Sequence, residues 1–125
     1  MSATFLDAGV DILAPAFGNV HGEYGPRGII LEYERLDEIR RVTSKVGVFI
    51  ALHGVNKFPM ALTQRLIAAG VTKVNLNRDI PAVYYEHLEK RINKVPFTQL
   101  LEECADIIAD SMAEYMNIVL SSGRA

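Results

Sequence analysis

Residues Val10 to Gly25, VDILAPAFGNVHGEYG, open as an apolar run and close on a polar, glycine-flanked histidine, His21. Residues Val46 to Gly54, VGVFIALHG, repeat the pattern around His53. A short apolar run bounded by turn residues reads as a strand buried on both faces, the strand type of parallel sheets. Each histidine therefore follows the tail of a strand, here Val10 to Phe17 and Gly47 to Leu52. Adjacent parallel strands lie about 4.8 Å apart, and two imidazole nitrogens on one tetrahedral zinc at about 2.05 Å sit roughly 3.3 Å from each other. The two histidines are expected to converge on a metal ion, with a pair of hydrogen-bonded structural histidines as the alternative.

Working outward, Ile29 to Lys45 carries Leu31, Leu36, Ile39 and Val42 at near-helical spacing with charges between them, which predicts an amphipathic helix. Pro59 permits a helical first turn for Met60 to Ala69, and Gly70 supplies the stop. Thr72 to Leu76, TKVNL, alternates as a third strand. DIPAVYYEHLEKRI offers Asp79 as N-cap and apolar positions at Val83, Tyr84, Leu88 and Ile92, a third helix. Thr98 to about Leu120 sets Leu101, Cys104, Ala105, Ile108, Met112, Tyr115, Met116 and Val119 on one face, a long final helix that packs onto the rest. Strand, helix, strand, helix, strand, helix, helix is an α/β order with parallel strands and right-handed crossovers. Three such strands need cover on both faces and both edges, more than these elements supply.

Bulk properties narrow the function classes. A chain of 125 residues, half of them apolar, is the size of one compact domain. The formal charge of −2 comes from interspersed acids and bases, with no basic stripe to grip nucleic acid. No apolar run approaches the roughly 20 residues that span a bilayer, and MSATFLDAG is unlike a signal peptide, so a soluble, cytoplasmic protein is expected. The single cysteine, Cys104, sits on an apolar helical stripe as a small core residue.

Ligands of α/β sheets bind at the carboxyl ends of the strands. All three predicted strands end there in polar residues: Asn19 to Gly22, His53 to Lys57 and Asn75 to Asp79. Gly22 and Gly54, directly after the histidines, either admit a ligand to the backbone or make tight turns. Asn75 and Asn77, one residue apart, are expected to face the same way and to hydrogen-bond a polyhydroxy substrate, with turn formation the competing role for Asn77. His87 lies mid-helix among charges and reads as solvated or partly packed, and Tyr84 and Tyr85 read as packing residues.

The strings AFGNVHGEYG, ALHGVNKFP and GVTKVNLNRD, in this order and spacing, resemble the second half of class II, metal-dependent fructose-bisphosphate aldolases. The closing PFTQLLEECADIIADSMAEYMNIVLSSGRA is similar to that family's last helix, so the resemblance runs from about Gly9 to the end. It implies a partial TIM (β/α)8 barrel, the last three βα units plus a long C-terminal helix, with residues 1–125 forming the C-terminal half. It implies a lyase that reversibly cleaves a ketose bisphosphate to dihydroxyacetone phosphate and an aldehyde. His21 and His53 match two of the three histidines that hold the catalytic Zn²⁺ or a similar divalent ion. Gly22 and Gly54 match the place where a substrate phosphate and a monovalent cation bind, and Asn75 matches an asparagine that contacts bound dihydroxyacetone phosphate near its reacting carbons.

Val55 and Asn56 stand where many members have glycine and serine, which leaves a polar side chain in the phosphate loop and less backbone freedom. Asn77 replaces a common aspartate, removing a charge near the substrate, and Arg78 a common threonine, where it either holds a phosphate or points to solvent. The resemblance also places the first metal histidine, its neighbouring acid/base aspartate and the acidic residue of a mobile loop in a first half that has no counterpart here. Little or no activity is therefore expected of this chain alone. A homo-oligomer, or a companion chain supplying the missing half, is the expected partner, and a sugar phosphate the expected small molecule. The alternative is a non-catalytic α/β domain kept for sugar-phosphate binding or for oligomerisation.

Overall fold

A computed structural model of the protein describes residues 2–124, and the chain divides after Asn75 into two compact units. The first unit runs α1 (Ser2–Asp7), β1 (Ile12–Leu13), α2 (Tyr33–Thr43), β2 (Phe49–Leu52), α3 (Met60–Ala68) and β3 (Lys73–Val74). Its three strands form a parallel sheet in the order β1-β2-β3, with Ile12 opposite Phe49, Leu13 opposite Ile50, Ala51 opposite Lys73 and Leu52 opposite Val74. This is the predicted α/β arrangement, with a short opening helix that the sequence pattern did not reveal. Six residues carry too few turns to show a period.

The central strand owes its position to its composition. Ile50, Ala51 and Leu52 are all buried, as a strand flanked on both sides requires. The reading of buried strands needs correction elsewhere: Ile12 is 46% and Phe49 57% exposed. The first strand is also much shorter than Val10 to Phe17. Pro15 has no N–H to give to a ladder, and beyond it the chain turns inward to bury Phe17 completely. The Phe17 amide is satisfied by Asn19 Oδ1 at 2.9 Å, and its carbonyl accepts from Glu32 N at 2.8 Å.

The helices α2 and α3 form within the predicted stretches, but α2 begins at Tyr33 rather than Ile29, and its buried face takes Thr43 in place of Val42, which is exposed. Leu36, Ile39 and Thr43 turn the buried face of α2 inward, while Glu34 in its first turn and Arg40 and Arg41 in its last complement the helix dipole. Pro59 precedes α3, whose Thr63 and Leu66 are buried, and Gly70 ends it with φ +110°. The chain then joins β2: Thr72 N donates to Ile50 O at 2.9 Å and Asn75 N to Leu52 O at 3.0 Å.

The second unit is a helical hairpin of α4 (Asp79–Arg91) and α5 (Phe97–Ile118). Asn93, at φ +63°, makes the turn between them in a backbone region that asparagine tolerates. The predicted N-cap is displaced by one residue. Arg78 occupies the cap, and Asp79 begins the helix, hydrogen-bonded to the Tyr115 hydroxyl. Burial, then Asp79, pushes the Tyr115 hydroxyl well above the usual tyrosine range. The predicted face of α5 is also rotated. Leu100 and Cys104 are buried, whereas Leu101, Met112 and Met116 are exposed.

His87, read from sequence as solvated or partly packed, is partly packed and joins a charged cluster between these two helices. Glu103 accepts from Arg91 Nε at 2.8 Å and Arg91 Nη2 at 2.7 Å, and from Gln99 Nε2 at 2.8 Å, while His87 Nε2 stands 2.9 Å from it. The hydrogen bonds from Arg91, then from Gln99, hold the Glu103 carboxyl down to about 2, from an ordinary 4.5. A carboxylate whose folded value is depressed stabilises fully above its unfolded value and loses that contribution as pH falls toward the folded one. Acid melts of the full chain are expected to lose stability between about pH 4.5 and 2, and Glu103→Gln to flatten that dependence. An unchanged acid profile in the variant would show that the cluster does not couple to folding.

Candidate metal centre

Because β2 lies between β1 and β3, residues beyond its carboxyl end stand between those that follow its neighbours. His53 therefore meets His21 on one side and Asn75 on the other. His21 Nε2 lies 3.1 Å from His53 Nδ1, with ring centroids 5.4 Å apart and ring planes tilted by 52°. His53 Nε2 faces Asn75 Nδ2 at 3.0 Å, and Asn75 Oδ1 accepts from Lys73 Nζ. His21 is exposed and His53 half-buried, so the pair opens to solvent.

Two side chains that the sequence reading left without a role hold this pair. Asn19 Oδ1 accepts from Phe17 N, and Asn19 Nδ2 donates to the His53 carbonyl at 3.2 Å. Tyr24 Oη accepts from Val20 N at 3.1 Å and donates to the Gly54 carbonyl at 3.0 Å. Its ring also packs beside Phe58, centroids 5.7 Å apart. The backbone on both sides of His53 is thus tied to the segment that carries His21. The available signal was positional, an asparagine two residues before His21 and a tyrosine three after it.

The two glycines after the histidines behave differently. Gly54 has φ +71°, and a Cβ there would stand 2.2 Å from the Val20 carbonyl oxygen, so only glycine lets the two segments approach this closely. Gly22, at φ +133°, has open space where its Cβ would be. Asn56 Nδ2 donates to Glu23 Oε1 at 3.2 Å and Lys57 Nζ to Glu23 Oε2 at 3.5 Å, a second bridge between the loops after β1 and β2 that sequence reasoning did not find. Asn77 and Arg78 lie in the second unit, both exposed. Among the described residues, no group of three or more His, Cys, Asp or Glu is placed to hold a metal ion.

Polar side chains gathered past the carboxyl ends of a parallel sheet are the construction of α/β ligand-binding and enzyme domains. The family model Fructose-bisphosphate aldolase class-II matches residues 1–124, and the chain belongs to that family. A Coccidioides immitis protein assigned as a fructose-bisphosphate aldolase is 39% identical over 125 residues, 99% of this chain and 41% of its own length. A fructose-bisphosphate aldolase of Geobacillus stearothermophilus is 33% identical over 123 residues, 94% of this chain and 41% of its own. The crystal structure of a Coccidioides immitis protein assigned as a fructose-1,6-bisphosphate aldolase superposes with a TM-score of 0.92 at 37% identity, over 98% of this chain and 42% of that one. The chain spans about two fifths of the length of these relatives. Among the described residues, no helix is long and apolar enough to cross a membrane.

Proposed function

We propose that this chain is the C-terminal portion of a zinc-dependent ketose-bisphosphate aldolase barrel, and that His21 and His53 supply two of its metal ligands. The observation that carries the reading is the 3.1 Å separation of His21 Nε2 and His53 Nδ1. Adjacent ligands of a tetrahedral zinc stand roughly 3.3 Å apart, and neutral imidazole is a common zinc donor. These residues fit one edge of a coordination shell and leave its other positions to further donors. When bound, a divalent ion would supply Lewis-acid polarisation of a ketone.

The roles of the remaining residues follow from position. Asn75, half-buried beside His53, is the residue assigned to hold substrate oxygens near the reacting carbons. Gly22, whose surroundings are open, and Asn56 are assigned to the phosphate, with the carbonyls around Gly54 as candidates for a monovalent cation. The exposed apolar side chains of Ile12 and Phe49, on strands of a three-stranded sheet, support a barrel completed by other strands. A companion segment would bring those strands and the absent acid/base group.

The second reading, a non-catalytic domain for sugar-phosphate binding or oligomerisation, is favoured by the absence of a third metal-ligating side chain among the described residues. Metal content separates the two. After zinc loading and dialysis the chain is expected to retain about one equivalent, because two held imidazoles chelate. Complete loss of zinc would favour the non-catalytic domain.

A further inference from the structure

The bridge between the loops after β1 and β2 is built like the grip on an oxyanion. Asn56 Nδ2 donates to Glu23 Oε1 at 3.2 Å, and Lys57 Nζ to Glu23 Oε2 at 3.5 Å. One amide and one ammonium thus hold both oxygens of one carboxylate, and phosphate oxygens accept from the same kinds of donor. Lys57 stands at φ +58°, a backbone region that residues with a Cβ rarely adopt. Glycine would suit this turn better, so what lysine adds there is its charge. The grip is also loose. The Lys57 and Glu23 side chains are 76% and 61% exposed, and an ion pair so open to water contributes little to stability.

We propose that the Glu23 carboxylate is an internal competitor for the substrate phosphate: it holds the donors of Asn56 and Lys57 until a phosphate dianion displaces it. This rests on the phosphate role proposed above for Gly22 and Asn56. It adds Lys57 as a phosphate ligand and Glu23 as the group that tunes phosphate affinity. Glu23 follows Gly22 directly in the chain and Lys57 follows Asn56, so the two loops set an acid against a base where the phosphate is assigned. The displaced carboxylate stays on its loop and repels the incoming dianion, whereas the released ammonium attracts it. Phosphate affinity is set by the balance of the two.

Titration of the ¹⁵N-labelled, metal-free full chain with inorganic phosphate tests this, at about pH 8, where phosphate is mostly dianionic, and at an ionic strength fixed with sodium chloride. Binding is read from the backbone signal of Gly22 and the side-chain amide of Asn56. Glu23→Gln, which keeps the shape and removes the charge, is expected to bind phosphate about fivefold more tightly than wild type, the scale of one charge pair about 4 Å apart in water. Lys57→Gly, which suits the backbone and removes the ammonium, is expected to bind about fivefold more weakly, and Lys57→Arg to bind like wild type. Equal affinity in wild type and Glu23→Gln would show that the carboxylate does not compete, and unchanged affinity in Lys57→Gly that the ammonium holds no phosphate. Either result overturns the proposal while leaving Gly22 and Asn56 as the phosphate site. Signals that stay still in every protein overturn it together with the phosphate reading of these loops.

Discussion

His53→Ala is expected to remove zinc retention, with a fall in affinity larger than the roughly 10- to 100-fold that loss of an outer partner costs. The substitution deletes a ring that faces His21 through Nδ1 and Asn75 through Nε2. What it spares is equally informative. The His53 carbonyl keeps its bond from Asn19 and Gly54 keeps its bond from Tyr24, so the loop is expected to stay in place. The ring is only half-buried, and its loss should change stability by about 1 kcal/mol or less. His21→Ala, at an exposed position, is expected to cost as much zinc affinity as His53→Ala, and the double variant little more, because two ligands of one ion act as a unit. Equilibrium dialysis on the four proteins, with thermal melts beside it, measures both quantities. Retained zinc in either single variant would place the ion elsewhere.

Turnover is the second large effect. The zinc-loaded chain alone is expected to cleave fructose 1,6-bisphosphate at less than about one hundredth the rate of a full-length class II aldolase. Two deficits act together. Catalytic zinc typically has three protein ligands, and the chain brings two together. A positioned acid/base group commonly supplies about 10² to 10⁴ in rate, and the residues gathered around His53 are an imidazole and an amide, with the ammonium of Lys73 behind them. The covered length of its relatives, about two fifths, agrees with a site completed by other residues. A coupled assay that follows triose phosphate production decides it, and a rate near that of the full-length enzyme would contradict the account.

Much of the architecture was legible because strands and helices impose different periods. Ile50, Ala51 and Leu52 within VFIAL form the buried part of a strand, as an apolar run suggests, while Phe49 is exposed, and the order of elements led to parallel pairing. Local chemistry hid the rest. Pro15 cut the first strand where hydropathy alone would have continued it, since a missing N–H leaves no trace in an apolar profile. In α5, Leu100 and Leu101, Ile107 and Ile108, and Tyr115 and Met116 put apolar residues on adjoining faces, so the pattern could not choose which one packs. Leu100 and Cys104 are the pair that is buried, a tertiary fact.

The approach of the two histidines was legible in the sequence, and the groups that hold them were not. His21 and His53 announced themselves by recurring at two strand ends, and the parallel pairing of β1 with β2 explains their approach. Asn19 and Tyr24 act through backbone groups two residues or fewer from those histidines, and a backbone partner has no sequence signature of its own.

The central claim is that two imidazoles share one ion at the mouths of β1 and β2. X-ray absorption spectroscopy of the zinc-loaded chain tests it most directly. The account predicts a shell containing two imidazole nitrogens at about 2.0–2.1 Å, with their multiple-scattering signature lost in His53→Ala. A zinc shell of oxygen donors alone would contradict it.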